Sequence, residues 1–102
     1  MAVLRIGSVV FEWDDEKAES NLVKHGITFL EATTVFLDDG AIYRKDVAHS
    51  MVEERFLLIG RSIERKILAV VHVERGARFR IVSARRATPR ERRDYVRRNT
   101  ES

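Results

Sequence analysis

The sequence predicts an α+β fold in which helices lie on a mostly antiparallel sheet. Three observations carry this reading. Runs rich in Ile, Val, Leu and Phe at 55–60, 66–74 and 78–84 follow one another with only a few residues between them, as antiparallel hairpins do. Two helix-start signals, at Asp14 and Thr28, stand before these runs, and a third, Thr88 with Pro89, follows them. The resulting order of strand, helix, helix, four strands and helix excludes a doubly wound parallel sheet.

Residues 4–11 alternate loosely and include Val9, Val10 and Phe11, which predicts one short opening strand. Asp14 is the expected N-cap of a helix over 15–24, because Asp15 and Glu16 then sit in its positive first turn. Gly26 falls where a left-handed residue ends such a helix, and Lys24 and His25 fall on its last turn. Thr28 and Glu31 have capping-box spacing, and Phe29, Ala32, Thr33 and Phe36 keep helical spacing until Asp38-Asp39-Gly40 stops it. A short strand over 41–44 and a polar loop over 45–54 lead into the three strong strands. On the last of these, Phe79, Ile81 and Ser83 alternate with Arg78, Arg80, Val82 and Ala84, so one face begins as guanidinium and the other as apolar. Glu91, three residues after Thr88, completes the start of an arginine-rich closing helix anchored mainly by Tyr95 and Val96.

The chain of 102 residues is the size of one domain, expected to span residues 1–102. It has no Cys, which excludes disulfides, thiolate metal sites and a cysteine nucleophile. Its longest nearly apolar run, 67–73, is about a third of a membrane span, and no signal peptide is recognisable at its start, so a cytoplasmic protein without membrane contact is expected. The charge is divided: residues 1–54 carry five Lys/Arg against eleven Asp/Glu, a net of −6, while residues 55–102 carry fourteen against five, a net of +9. Thirteen of those fourteen cations are Arg, whose planar fork matches phosphate or carboxylate in two-point contact. An anionic partner is expected for the second half. Neither a metal-binding motif, a glycine-rich phosphate loop nor a G-x-S-x-G elbow occurs, and no cofactor is expected.

Three segments, FEWDDEKAESNLVKHGITFLEA (11–32), EERFLLIGRS (53–62) and RIVSARRATPRERRDYV (80–96), together resemble the BrnT family, the toxin half of the BrnT/BrnA type II toxin-antitoxin systems. The resemblance implies a RelE-like fold, with two N-terminal helices, a mostly antiparallel sheet and a C-terminal helix. It also implies an endoribonuclease that inhibits growth until a BrnA-type antitoxin neutralises it, with operator DNA contacted only through the antitoxin.

RNA cleavage without a metal needs a base for the 2′-hydroxyl, cations for the phosphate and an acid for the leaving oxygen. Arg61, Arg80 and Arg85 are the candidate phosphate cations, expected to converge at the ends of strands, and the resemblance adds Lys24. Arg55, Arg78 and Arg86 are candidate RNA contacts, and Tyr95 is a candidate stacking ring or, alternatively, the closing helix's hydrophobic anchor. Glu53, Glu54 and Glu74 are the nearest carboxylates, with Glu54 favoured as the base. His25 suits either a cap or acid-base work, His72 reads as a satisfied sheet histidine, and His49 lies in the loop with no local assignment. Each arginine also reads as a solvated surface residue or an antitoxin contact. A basic module that grips RNA or antitoxin without cutting, and a subunit associating through its two charged halves, are the alternatives.

Overall fold

A computed structural model describes residues 1–46 and 53–101. In chain order they form β1 (Ala2–Ile6), β2 (Val9–Trp13), α1 (Asp15–His25), α2 (Phe29–Thr34), a 3-10 turn (Val35–Leu37), β3 (Ile42–Lys45), β4 (Arg55–Arg61), β5 (Ile67–Arg75), β6 (Arg78–Arg86) and α3 (Pro89–Thr100). The expected single opening strand is a hairpin, because Gly7 takes φ +62° and folds β1 back onto β2. The strands form one sheet in the order β1-β2-β6-β5-β4-β3. Every pairing is antiparallel except that of β2 with β6, which joins the first and last strand pairs in parallel.

The helices begin and end where side chains satisfy their terminal backbone groups. Asp14 accepts the N–H groups of Glu16 and Lys17 at 2.8 and 3.2 Å, and Gly26, at φ +70°, closes α1 by donating to the Leu22 carbonyl at 2.8 Å. Thr28 accepts from the Glu31 N–H. At α3, the Thr88 hydroxyl accepts the Glu91 N–H at 3.2 Å while the Glu91 carboxylate accepts the Thr88 N–H at 2.8 Å, a reciprocal capping box.

Paired residues share a face, so register assigns the two sides of the sheet. One side carries Phe11, Leu58, Leu68, Val70, Ile81 and Ala84 and is covered by Ile27, Phe29, Ala32 and Val35 from the α1–α2 region, which makes the main core. Gly60 lets the 3-10 turn approach, since a β-carbon there would stand 2.9 Å from Val35 Cγ1. The other side carries Ile42, Ile59, Ile67 and Ala69, which Tyr95 of α3 and Ala87 cover at one end only, as a smaller second core.

Parallel pairing of β2 with β6 stops at Arg80, beyond which the edge of β6 lies open to α1. Buried Asn21 closes it: its side chain donates to the Ala84 carbonyl at 2.8 Å and accepts the Ala84 N–H at 3.1 Å. A strand's ladder bonds are thus completed by a helix side chain, which brings the C-terminal end of α1 to the sheet's edge.

Candidate nucleic-acid interface

A β-bulge in β6 decides which residues face the uncovered part of the sheet. Val71 pairs with Ser83 and His72 with Ile81, so Val82 has no partner and the alternation resets across it. Strict alternation from Phe79 places Ser83 with the apolar face and Ala84 with the arginines. The bulge reverses this: Ala84 enters the main core, fully buried, and Ser83 and Arg85 join Arg78 and Arg80 on the face opposite. With Arg55, Leu57, Val71 and Val73 they floor the part of that face which α3 leaves open.

The arginines here are held by carboxylates. Glu12, 4% exposed, accepts Nε and Nη2 of Arg80 at 3.0 and 2.8 Å through one oxygen and Nη1 of Arg78 at 2.6 Å through the other. Hydrogen bonds from Arg78 and then Arg80 outweigh the cost of burial, so the Glu12 carboxyl is held below the ordinary carboxylate range. Two guanidinium groups on one carboxylate leave a net positive charge. Arg85 makes a two-point contact with Glu91, at 2.7 and 3.1 Å, and that pairing raises the Arg85 pKa further. The same Glu91 caps α3, so the helix start and the guanidinium are fixed by one group.

Two hollows meet along β6. One, of about 320 Å³, is lined by Asp46, Arg55, Leu57, Val71, Ser83 and Arg85. The other lies between α1 and β6, with Asn21, Lys24, His25, Val82 and Ser83 among its lining residues. Ser83 lines both. The sequence alone singled out neither Ser83 nor Asp46 nor Glu12, and no local signal marks them: Glu12 falls just past the expected opening strand, and Ser83 is turned to the open face only by the bulge.

The other candidates are dispersed. Arg61 pairs with Ile67 at the far end of β4, whereas Arg80 pairs with Val73, six residues away along β5 or roughly 20 Å, so the expected convergence of Arg61 with Arg80 does not occur. The Arg61 backbone instead donates to Asp38 at 2.7 Å. Tyr95 is 6% exposed in the second core and donates its hydroxyl to the same Asp38 at 2.7 Å, so its ring offers no open face for a base and the stacking expectation is corrected to the packing one. Arg86 is exposed at the end of β6, on the strand side opposite Arg85. Glu54 pairs with Lys45 at 3.2 Å and Glu53 with Arg75 at 2.8 Å.

Glu74 lies on the helix-covered face, not among the arginines, where it binds His72 Nε2 and the Tyr43 hydroxyl, each at 2.9 Å. His72 is fully buried among Phe36, Phe56 and Phe79, and burial pushes its pKa down. Burial and the Glu74 carboxylate together push the Tyr43 hydroxyl up to about 12. His49 lies outside the described residues. Among the described residues no helix is long and apolar enough to cross a membrane.

Residues 13–91 match the family model described as the ribonuclease toxin, BrnT, of type II toxin-antitoxin systems. The fold matches the crystal structure of the Brucella abortus ribonuclease toxin BrnT at 25% sequence identity and a TM-score of 0.60, over 76% of this chain and 95% of that one. No curated protein matches the chain. The match to the family model takes in α1 through β6 and the capping box of α3, including the open arginine face, and on that evidence the chain belongs to the BrnT family of type II toxin-antitoxin ribonuclease toxins, whose members act on RNA and are paired with an antitoxin.

Proposed function

We propose that this protein cuts RNA internally without a metal, using arginines to stabilise the phosphate, and that it inhibits growth in the cytoplasm until a BrnA-type antitoxin covers the same face. The observation that carries this reading is the open half of the sheet, where Arg55, Arg80 and Arg85 surround Ser83 and Lys24 lines the adjoining hollow. An RNA strand laid across Ser83 meets cations on both sides.

In the proposed reaction the 2′-oxygen attacks the adjacent phosphorus, its proton passes to a base, and the 5′-oxygen leaves with a proton from an acid. The products are a 2′,3′-cyclic phosphate and a 5′-hydroxyl. Charge builds on the non-bridging oxygens in the transition state, and guanidinium groups already oriented by Glu12 and Glu91 stabilise it without having to reorganise. Loss of one such donor costs roughly 100-fold in rate. Asp46 lines the hollow with Arg55 and Arg85, whereas Glu54 is not among its lining residues, and on position Asp46 is the carboxylate best situated to take the proton. His25, beside Lys24, is an imidazole able to give one.

The purified chain, incubated with RNA in excess EDTA, is expected to yield fragments ending in 2′,3′-cyclic phosphate, with the yield lost in Arg85→Gln and Arg80→Ala. RNA that is retarded but intact would leave a binding module. Cleavage restored only by added Mg²⁺ would remove the metal-independent reading. Co-expression with a BrnA-type antitoxin should restore growth and suppress cleavage.

A further inference from the structure

Three arginines of α3 differ from Arg78, Arg80 and Arg85 of the open face. Arg78 and Arg80 share Glu12, Arg85 holds Glu91, and Arg44 and Arg97 hold Asp94. Glu91 and Asp94 are the only carboxylates within α3, so both are engaged by partners other than Arg90, Arg92 and Arg93. Among the described residues those three make no ion pair, and all three are exposed.

Their position also works against the helix. Arg90 and Arg92 stand in the first turn of α3, at the positive end of its dipole, where cations are unfavourable, whereas Arg97 and Arg98 in the last turn are favourably placed. Arg90 and Arg93 project away from the buried Tyr95, and Arg92 with Arg93 borders Val96, Arg97 and Thr100 in a surface groove of about 530 Å³. Folding therefore offers no reason for three unpaired cations here, and a local rule broken without compensation points to function. The helix begins at the rim of the open face, since Glu91 ties it to Arg85.

From these observations we infer that Arg90, Arg92 and Arg93 form a second phosphate-binding ridge, which holds the backbone of single-stranded RNA after it leaves the arginine face. The inference rests on the reading of that face as an RNA site and extends it: the substrate is a strand long enough to reach from Ser83 onto α3, not an isolated dinucleotide step. Arg92 and Arg93 lie beyond the residues matched by the family model, so nothing in that match assigns them.

The test compares the full chain with its Arg90→Gln/Arg92→Gln/Arg93→Gln variant on two probes, a 30-nucleotide single strand and a tetranucleotide. Three fewer phosphate contacts should reduce the slope of log affinity against log salt for the long strand by about 2. Cleavage of the tetranucleotide should be unchanged, and the variant should melt at or above the wild-type temperature. An unaltered salt slope, an equal loss on the tetranucleotide, a lowered melting temperature, or a loss confined to duplex DNA would each overturn the ridge. A wild-type chain that binds the long strand but cuts neither probe would instead defeat the ribonuclease reading, while the two salt slopes would still decide the ridge.

Discussion

One face of this sheet is two surfaces. At one end Ile42, Ile59, Ile67 and Ala69 lie under Tyr95 and Ala87; at the other, Val71 and Ser83 are partly open, and Val73 is buried between its strand partners Arg55 and Arg80, with Arg78 and Arg85 on the same face. The backbone is the same, and side chains decide which end α3 covers. Aliphatic groups gain about 25 cal/mol for each Å² removed from water, whereas a guanidinium carried into an apolar contact must find an anion. In the open half that anion comes from within the sheet, as Glu12, and from the helix cap, as Glu91. The covered half contributes stability, and the open half keeps its charge in fixed positions.

Substitutions at the two ends should separate these roles. Tyr95→Ala has the largest expected effect, a loss of about 3 to 4 kcal/mol in urea unfolding, because it removes the ring and its bond to Asp38 from the second core. A loss below 1 kcal/mol would break the distinction. Arg85→Gln should do the reverse, slowing RNA cleavage roughly 100-fold, or about 2.7 kcal/mol in barrier, with far less change in unfolding. A variant that unfolds more than it slows would make Arg85 a strut for α3 and not a phosphate ligand.

Glu12→Gln should cost about 2 kcal/mol, less than for a fully buried pair because Arg78 and Arg80 are 55% and 35% exposed. Its pH dependence carries a definite sign. The folded-state pKa lies below the ordinary 4.5, so the wild-type contribution is complete above that value and is lost as pH falls through the depressed folded-state pKa. Unfolding free energies of wild type and variant should therefore converge on acidification; parallel curves would mean that Glu12 is not held by its arginines. The smallest effect is expected of Gly26→Ala, about 1 kcal/mol in thermal unfolding from its φ of +70°. It should also lower cleavage if the end of α1 sets the position of Lys24.

Much of this architecture is local and readable in the chain. Asp14, Gly26, Thr28 and the Thr88–Glu91 box each act within a few residues, and all three helices begin where those signals stand. The three long strands are equally evident from composition. What the chain hides is non-local. The β1–β2 hairpin reads as one strand because its two-residue turn interrupts the alternation so little, and the parallel pairing of β2 with β6 has no signal in either segment. The bulge at Val82 is set by pairing with β5, so period-two reading assigns Ser83 and Ala84 to the wrong faces. For the same reason the arginines were recognisable as a group, while Glu12, Ser83 and Asp46 could be joined to them only in three dimensions.

The parallel pairing of β2 with β6 also sets a schedule. Glu12 and Arg80 are separated by 68 residues, so their contact closes a long loop before it is rewarded by any local bond. Such non-local pairing slows folding compared with a helical chain of this length. During synthesis, β1, β2, α1 and α2 are made before β6, and the arginine face does not exist until β6, which carries Arg78, Arg80 and Arg85, has emerged. The anion-binding surface therefore matures after the N-terminal hairpin and helices have been made.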